Sequence, residues 1–293
     1  MLSPFRKARL FDFSHYLWPF LVIFGLLVIR QSPKVYRTQF IMPYLYLLIN
    51  FLAILVPLIK SFDPRVNFYK QWRYLLPSLG IVGAFFIAWD IVFTNWGIWG
   101  FNPRYLSGIE IINLPLGEWL FFITIPYCCL FVYEVTNYYV KQDILGPYAN
   151  AITVLLIIGL VAITVSIPWK WYTSFTFILT ASFLLLHLWV FKANYLGRFY
   201  LAMAIWLVPF FIVNGVLTGS FIQEQVVWYN NAENLSVRMF TIPVEDTFYG
   251  LLLMLMNTTL YEYLKQRGER KRVNHTSKNA LEETVLVTNE VLE

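Results

Sequence analysis

The chain has 293 residues, of which 58% are hydrophobic and only 13% charged, where soluble domains carry about a quarter charged residues. That balance, with a mean hydropathy of +0.58, excludes an ordinary soluble domain and points to an integral membrane protein. The formal net charge of +5 is read as membrane topology rather than as a nucleic-acid footprint.

In chain order, hydrophobic segments run over residues 16–29, 41–59, 74–93, 114–135, 149–167, 172–191, 199–217 and 242–264. All but the first approach the ~20 residues a spanning helix needs. The first is short and contains Pro19. The expected fold is all-α: a polytopic transmembrane bundle of 7 to 8 helices. With the N-terminus inside, Lys and Arg divide 16 to 6 of the total 22, a bias that marks the cytoplasmic side. The expected location is a cell membrane, multi-pass, with a cytoplasmic C-terminus. Trp96, Trp99, Trp169, Trp171 and Trp228 flank spans, where amphipathic rings settle at the interface.

The fourth and eighth segments open alike. Leu114-Pro115-Leu116-Gly117-Glu118 is answered 128 residues later by Ile242-Pro243-Val244-Glu245-Asp246, and each helix closes on Tyr-Glu, at Tyr133-Glu134 and Tyr261-Glu262. Upstream, Trp89-Asp90 through Thr94 matches Val213-Asn214 through Thr218. The organisation read from this is an extension at 1–41, a first repeat at 42–141, a second repeat with one linking helix at 142–264, and a basic then acidic tail at 265–293 expected to be disordered. Four helices separate each element from its copy, an even number, so the tandem repeats share one orientation.

Helix starts explain some of these acids without chemistry. Asn113 and Thr241 suit N-caps, proline suits a first turn, and Glu118, Glu245 and Asp246 complement the helix dipole. Glu134 and Glu262, at the other span ends, reach water cheaply on that reading. Asp90 resists it, because a carboxylate at a helix C-terminus sits at the wrong end of the dipole. If neighbouring spans bring Asp90 to Glu118, and Asn214 to Glu245 and Asp246, the crowded carboxyl groups are expected to retain a proton at neutral pH and serve as general acid. An aromatic wall of the kind offered by Trp89, Trp119, Phe122 and Tyr249 suits a carbocation. Protonation of an alkene, ring closure and proton loss call for no cofactor, and the chain lacks dinucleotide, P-loop and metal-cluster patterns. Cys128 and Cys129 read as packing residues, and His187 as a packing or hydrogen-bonding residue.

At these residues the chain resembles the integral-membrane lycopene cyclase family of bacteria and fungi, in the form that fuses two homologous domains. The carriers are Trp89-Asp90, Trp96 to Pro103, Asn113 to Phe122, Asn214-Gly215, Trp228 to Asn230, and Ile242 to Asp246 with Phe248 to Gly250. The resemblance implies an isomerase, a lycopene β-cyclase that closes the ends of lycopene into β-ionone rings, giving gamma-carotene and then β-carotene. It implies lycopene and other acyclic carotenoids as substrates in a lipid bilayer, with no nucleic acid, no cofactor and no metal; homo-oligomers and neighbouring carotenoid enzymes stay open as partners. The family's Pro-x-Glu-Glu/Asp motif maps onto Pro115 to Glu118 and Pro243 to Asp246, with Gly117 where the family has Glu. On this basis Glu245 or Asp246 donates the proton, Glu118 and Asp90 tune or accept it, and Gly117 weakens the first half, so that Glu at 117 would raise cyclisation. Two rivals remain: an intramembrane prenyltransferase, which needs Asp-rich clusters for Mg2+, and a proton-coupled transporter, which needs a polar path between the halves.

Overall fold

Helices follow one another with little else between them: α1 (Leu45–Lys60), α2 (Trp72–Asn95), α3 (Leu116–Tyr139), α4 (Ala149–Ser166), α5 (Trp171–Leu186), α6 (Leu196–Leu217) and α7 (Val244–Leu292). The computed structural model describes residues 42–292, and side chains as far as Asn274. The segment at 16–29 and His15 lie outside the described residues, as does the side chain of His275. With their flanking turns, α1 to α6 are each long and apolar enough to cross a membrane. The last helix is not among them, because Glu245, Asp246, Asn257 and Glu262 dilute its apolar run. It is held inside the bundle instead, with Leu251 to Leu255 all buried. The lipid-facing extreme is α4, where Leu155, Ile158 and Val165 are 60 to 73% exposed.

Helix packing follows the repeat. α1 lies along α3 and α5 along α7; α2 packs on α3 and α7, while α6 packs on α7 and α3. Each three-helix set thus closes on its own third helix and on the third helix of the other set. α4 links the sets and packs chiefly against α5.

Short strands in the two long connections mark one end of the bundle. β1 (Trp99–Phe101), from the first connection, pairs antiparallel with β4 (Val227–Tyr229), from the second, in the register Trp99 opposite Tyr229. Pairing of the two equivalent connections puts both at the same membrane end. Each connection then turns back in a hairpin, β2 (Glu110–Ile111) with β3 (Leu114–Pro115), and β5 (Arg238–Met239) with β6 (Ile242–Pro243). Ile112 and Phe240 take left-handed backbone conformations, φ 64 and 58°, at the same place in both turns, uncommon for bulky residues.

These hairpins overturn the capping expectation. Asn113 and Thr241 are turn residues, the prolines end β3 and β6, and the helices begin at Leu116 and Val244. Asn113 spends its amide on the Ile91 carbonyl at 2.9 Å, and the Thr241 hydroxyl meets those of Thr218 and Ser220, both at 2.7 Å. The tail is also corrected: α7 continues as helix to Leu292 rather than ending near Leu264. Low hydropathy argues against a packed core, yet the tail is rich in helix formers and free of proline.

Candidate active site

Both acidic helices start immediately after a hairpin, so their first-turn side chains point into the end of the bundle where β1 and β4 meet. There each repeat supplies a tyrosine to its own acid. Tyr46 of α1 donates to Glu118, and Tyr172 of α5 donates to Asp246 at 2.5 Å. The ladder adds two more donors from facing positions: Tyr229 donates to the second oxygen of Asp246 at 2.9 Å, and Trp99 Nε1 donates to Asp90. Desolvation, and then the Asp246 carboxyl beside it, push the Tyr229 hydroxyl well above the ordinary tyrosine range. It therefore stays protonated and able to donate.

Asp90, Glu118 and Asp246 line one cavity of about 90 Å³ together with Tyr46, Trp99, Tyr172, Tyr229 and Tyr249. The three carboxyl groups belong to residues only 2, 8 and 5% exposed. Among the described residues no Lys, Arg or His lines the cavity, and Asp90 Oδ2 has no hydrogen-bond partner. Behind it stands a ring cluster in which Trp89 lies 4.9 Å from both Tyr249 and Phe175, and Trp99 lies 5.1 Å from Tyr172.

Of the expected site residues, Asp90, Glu118, Asp246, Asn214 and Tyr249 line this cavity; Glu245, Trp89, Trp119 and Phe122 do not. Glu245 is fully buried and turned toward the start of α5 and the second connection, its Oε1 accepting from Thr173 of α5 at 2.6 Å and from the Leu235 amide of the connection at 2.7 Å. Trp119 donates to the Ile111 carbonyl of its own hairpin at 3.3 Å. Trp89 and Phe122 both pack on Phe86. Gly117 faces Tyr46, and its carbonyl accepts from Asn50 at 3.0 Å.

Sequence reading missed Tyr46 and Tyr172. Their helices share little else, so only their matching places at the starts of α1 and α5, each the first helix of its repeat, mark them.

The lycopene cyclase family model matches the chain twice, over residues 43–136 and 169–264. The chain belongs to the lycopene cyclase family. No curated protein and no solved structure matches it. The two stretches matched by the lycopene cyclase model each hold one three-helix set with its hairpin and tyrosine-held acid, and they leave out the whole of α4. A carotenoid cyclase that works within a membrane must bring acid to a water-insoluble polyene, and both repeats contribute to the one cavity.

The far ends of the acidic helices differ from expectation. Glu134 and Glu262 do not reach for water; they are crossed between the repeats, with Tyr261 donating to Glu134 at 2.7 Å and Tyr133 to Glu262 at 2.8 Å. Lys265 adds an ion pair to Glu134 at 2.8 Å. Elsewhere His187 bonds Thr259 at 2.8 Å, and Cys128 Sγ donates to the Ala53 carbonyl at 3.3 Å.

Proposed function

We propose that this member of the family is a lycopene β-cyclase, which adds a proton to the terminal alkene of lycopene, closes the ring onto the resulting cation and removes a proton to leave a β-ionone ring. No net oxidation occurs, and the proton lost balances the proton supplied. The observation that carries the reading is the convergence of Asp90, Glu118 and Asp246 on one ring-lined cavity that no Lys, Arg or His among the described residues lines. Three like charges crowded into one largely apolar cavity repel, and a retained proton relieves them.

Asp246 is the donor in this scheme, because it faces the cavity and two phenols hold it in place. Glu118, its repeat counterpart on Tyr46, and Asp90, with one oxygen that has no partner among the described residues, receive the proton released on ring formation. Tyr249, Trp99 and Tyr172 present ring faces to the intermediate cation. The apolar wall beyond the acids supports a cyclase over a proton-coupled carrier, which needs a polar path. In the accompanying topology the acids sit at the non-cytoplasmic end and the C-terminus is cytoplasmic.

Pigment analysis after expression in lycopene-accumulating cells tests the reading. The wild-type chain should give monocyclic and bicyclic β-ring products, and Asp246→Asn should leave lycopene. Unchanged lycopene with the wild-type chain would reject the activity.

A further inference from the structure

A second cavity, of about 80 Å³, continues from the acid-lined one and shares Phe121, Ile125, Cys129, Trp206, Phe210 and Asn214 with it. Beyond those shared residues its walls are apolar: Ala53 and Pro57 from α1, Cys128, Val132 and Val135 from α3, and Val213 from α6. From Glu118 to Val135 along α3 is about 25 Å at the rise of an α-helix. A slot with apolar walls therefore leads away from the acids along much of α3.

The repeat supplies a control, because the same place in the other half is filled. Matching the helices through Tyr46 with Tyr172, Asp90 with Asn214 and Glu118 with Asp246 sets Ala53 against Leu179, Pro57 against Phe183, Cys128 against Met256 and Val213 against Trp89. At every one of these positions the second set of walls is larger. Trp89 is 5% exposed and packs on Phe86, Phe93, Phe175 and Tyr249. The acids are duplicated, but the slot stands where the small residues are.

Resting on the cyclase reading, we infer that this slot between α1, α3 and α6 holds the uncyclised remainder of the polyene, so that one end of the substrate is presented to the acids at a time. A second ring then requires the one-ring product to leave and re-enter reversed. The occupant follows from continuity: the slot opens from the acids, is lined at successive turns of α3 and offers a chain almost no polar atom.

The double variant Ala53→Leu with Cys128→Met gives the slot the side chains of its filled counterpart without touching an acid. In membranes supplied with lycopene it should form at least tenfold less cyclised product than wild type, with an unchanged unfolding temperature in detergent. Val213→Phe narrows the slot from the opposite wall and should do the same if the double variant folds poorly. Cys128 and Cys129 are the only cysteines, so lycopene should also slow their labelling by a small apolar thiol reagent. When unlabelled lycopene is added midway through conversion of labelled lycopene, label should collect in the one-ring product.

Cyclisation at the wild-type rate in both the double and the Val213→Phe variants, or thiol labelling indifferent to lycopene, would overturn the slot. Label passing straight to the two-ring product despite the chase would overturn one-end presentation. Failure of the wild-type chain to cyclise lycopene would instead remove the activity on which the inference rests.

Discussion

Tyr46 occupies the space that a side chain at position 117 would need: a Cβ built on Gly117 would lie 2.6 Å from Tyr46 Cγ and 2.7 Å from Cδ1. Gly117 is thus the residue that lets α1 approach α3 closely enough for Tyr46 to reach Glu118. Gain of activity from Gly117→Glu, the outcome expected from the motif alone, is replaced by its opposite. The substitution should destabilise by about 1–3 kcal/mol, the usual cost of overpacking, and lower pigment conversion. Combining it with Tyr46→Ala should recover part of the unfolding temperature in detergent, and a single Gly117→Glu variant as stable as wild type would refute the steric account.

The tyrosines should act through the acids they hold. Asp246 has two donors, Tyr172 and Tyr229, so Tyr229→Phe leaves it one bond and Tyr172→Phe the other. Each hydrogen bond to a charged group contributes about 1.5–3 kcal/mol, and neighbours on one oxygen pair couple. Each single variant should slow cyclisation roughly tenfold, and the double variant should depart from the product of the two. Independent effects, measured as initial rates of cyclised product, would mean the phenols do not share Asp246 in the working enzyme.

Adjacent acids should separate cleanly. Asp246→Asn removes a cavity-facing proton donor and should cost about 100-fold or more in rate, the range for general acids. Glu245→Gln keeps an acceptor for Thr173 and the Leu235 amide, so it should hold the connection in place and stay within a few fold of wild type. Quantifying product per folded enzyme decides it: equal losses would return Glu245 to the chemistry.

The bundle and the convergence of its acids were legible in the sequence because hydropathy and a 128-residue echo are long, redundant signals. Asp90 announced itself by standing at the wrong end of a helix dipole. What stayed hidden depends on direction about a helix axis and on loops. Glu245 and Asp246 are neighbours, hence about 100° apart, and a pattern of letters does not say which faces the cavity. Asn113 and Thr241 looked like caps because a two-residue hairpin turn and an N-cap favour the same polar residues. Gly117 read as a loss, since nothing in its own motif names Tyr46, 71 positions earlier.

The crossed pairs at the far end should affect stability and leave the chemistry alone. Tyr133 of one repeat holds Glu262 of the other, Tyr261 holds Glu134, and Lys265 brings a positive charge, its side chain and that of Glu134 only 21 and 13% exposed. Truncating one partner of a largely buried ion pair leaves the other without compensation, and a fully buried pair loses about 3–5 kcal/mol that way. Partial exposure reduces this, so Lys265→Met should cost about 1–3 kcal/mol, seen as a lower unfolding temperature. Tyr261 still donates to Glu134 in that variant, and nearly the whole length of α3 separates this pair from the acid-lined cavity. The rate per folded molecule should therefore match wild type; a slower rate at full folding would show that the two ends of the bundle are coupled.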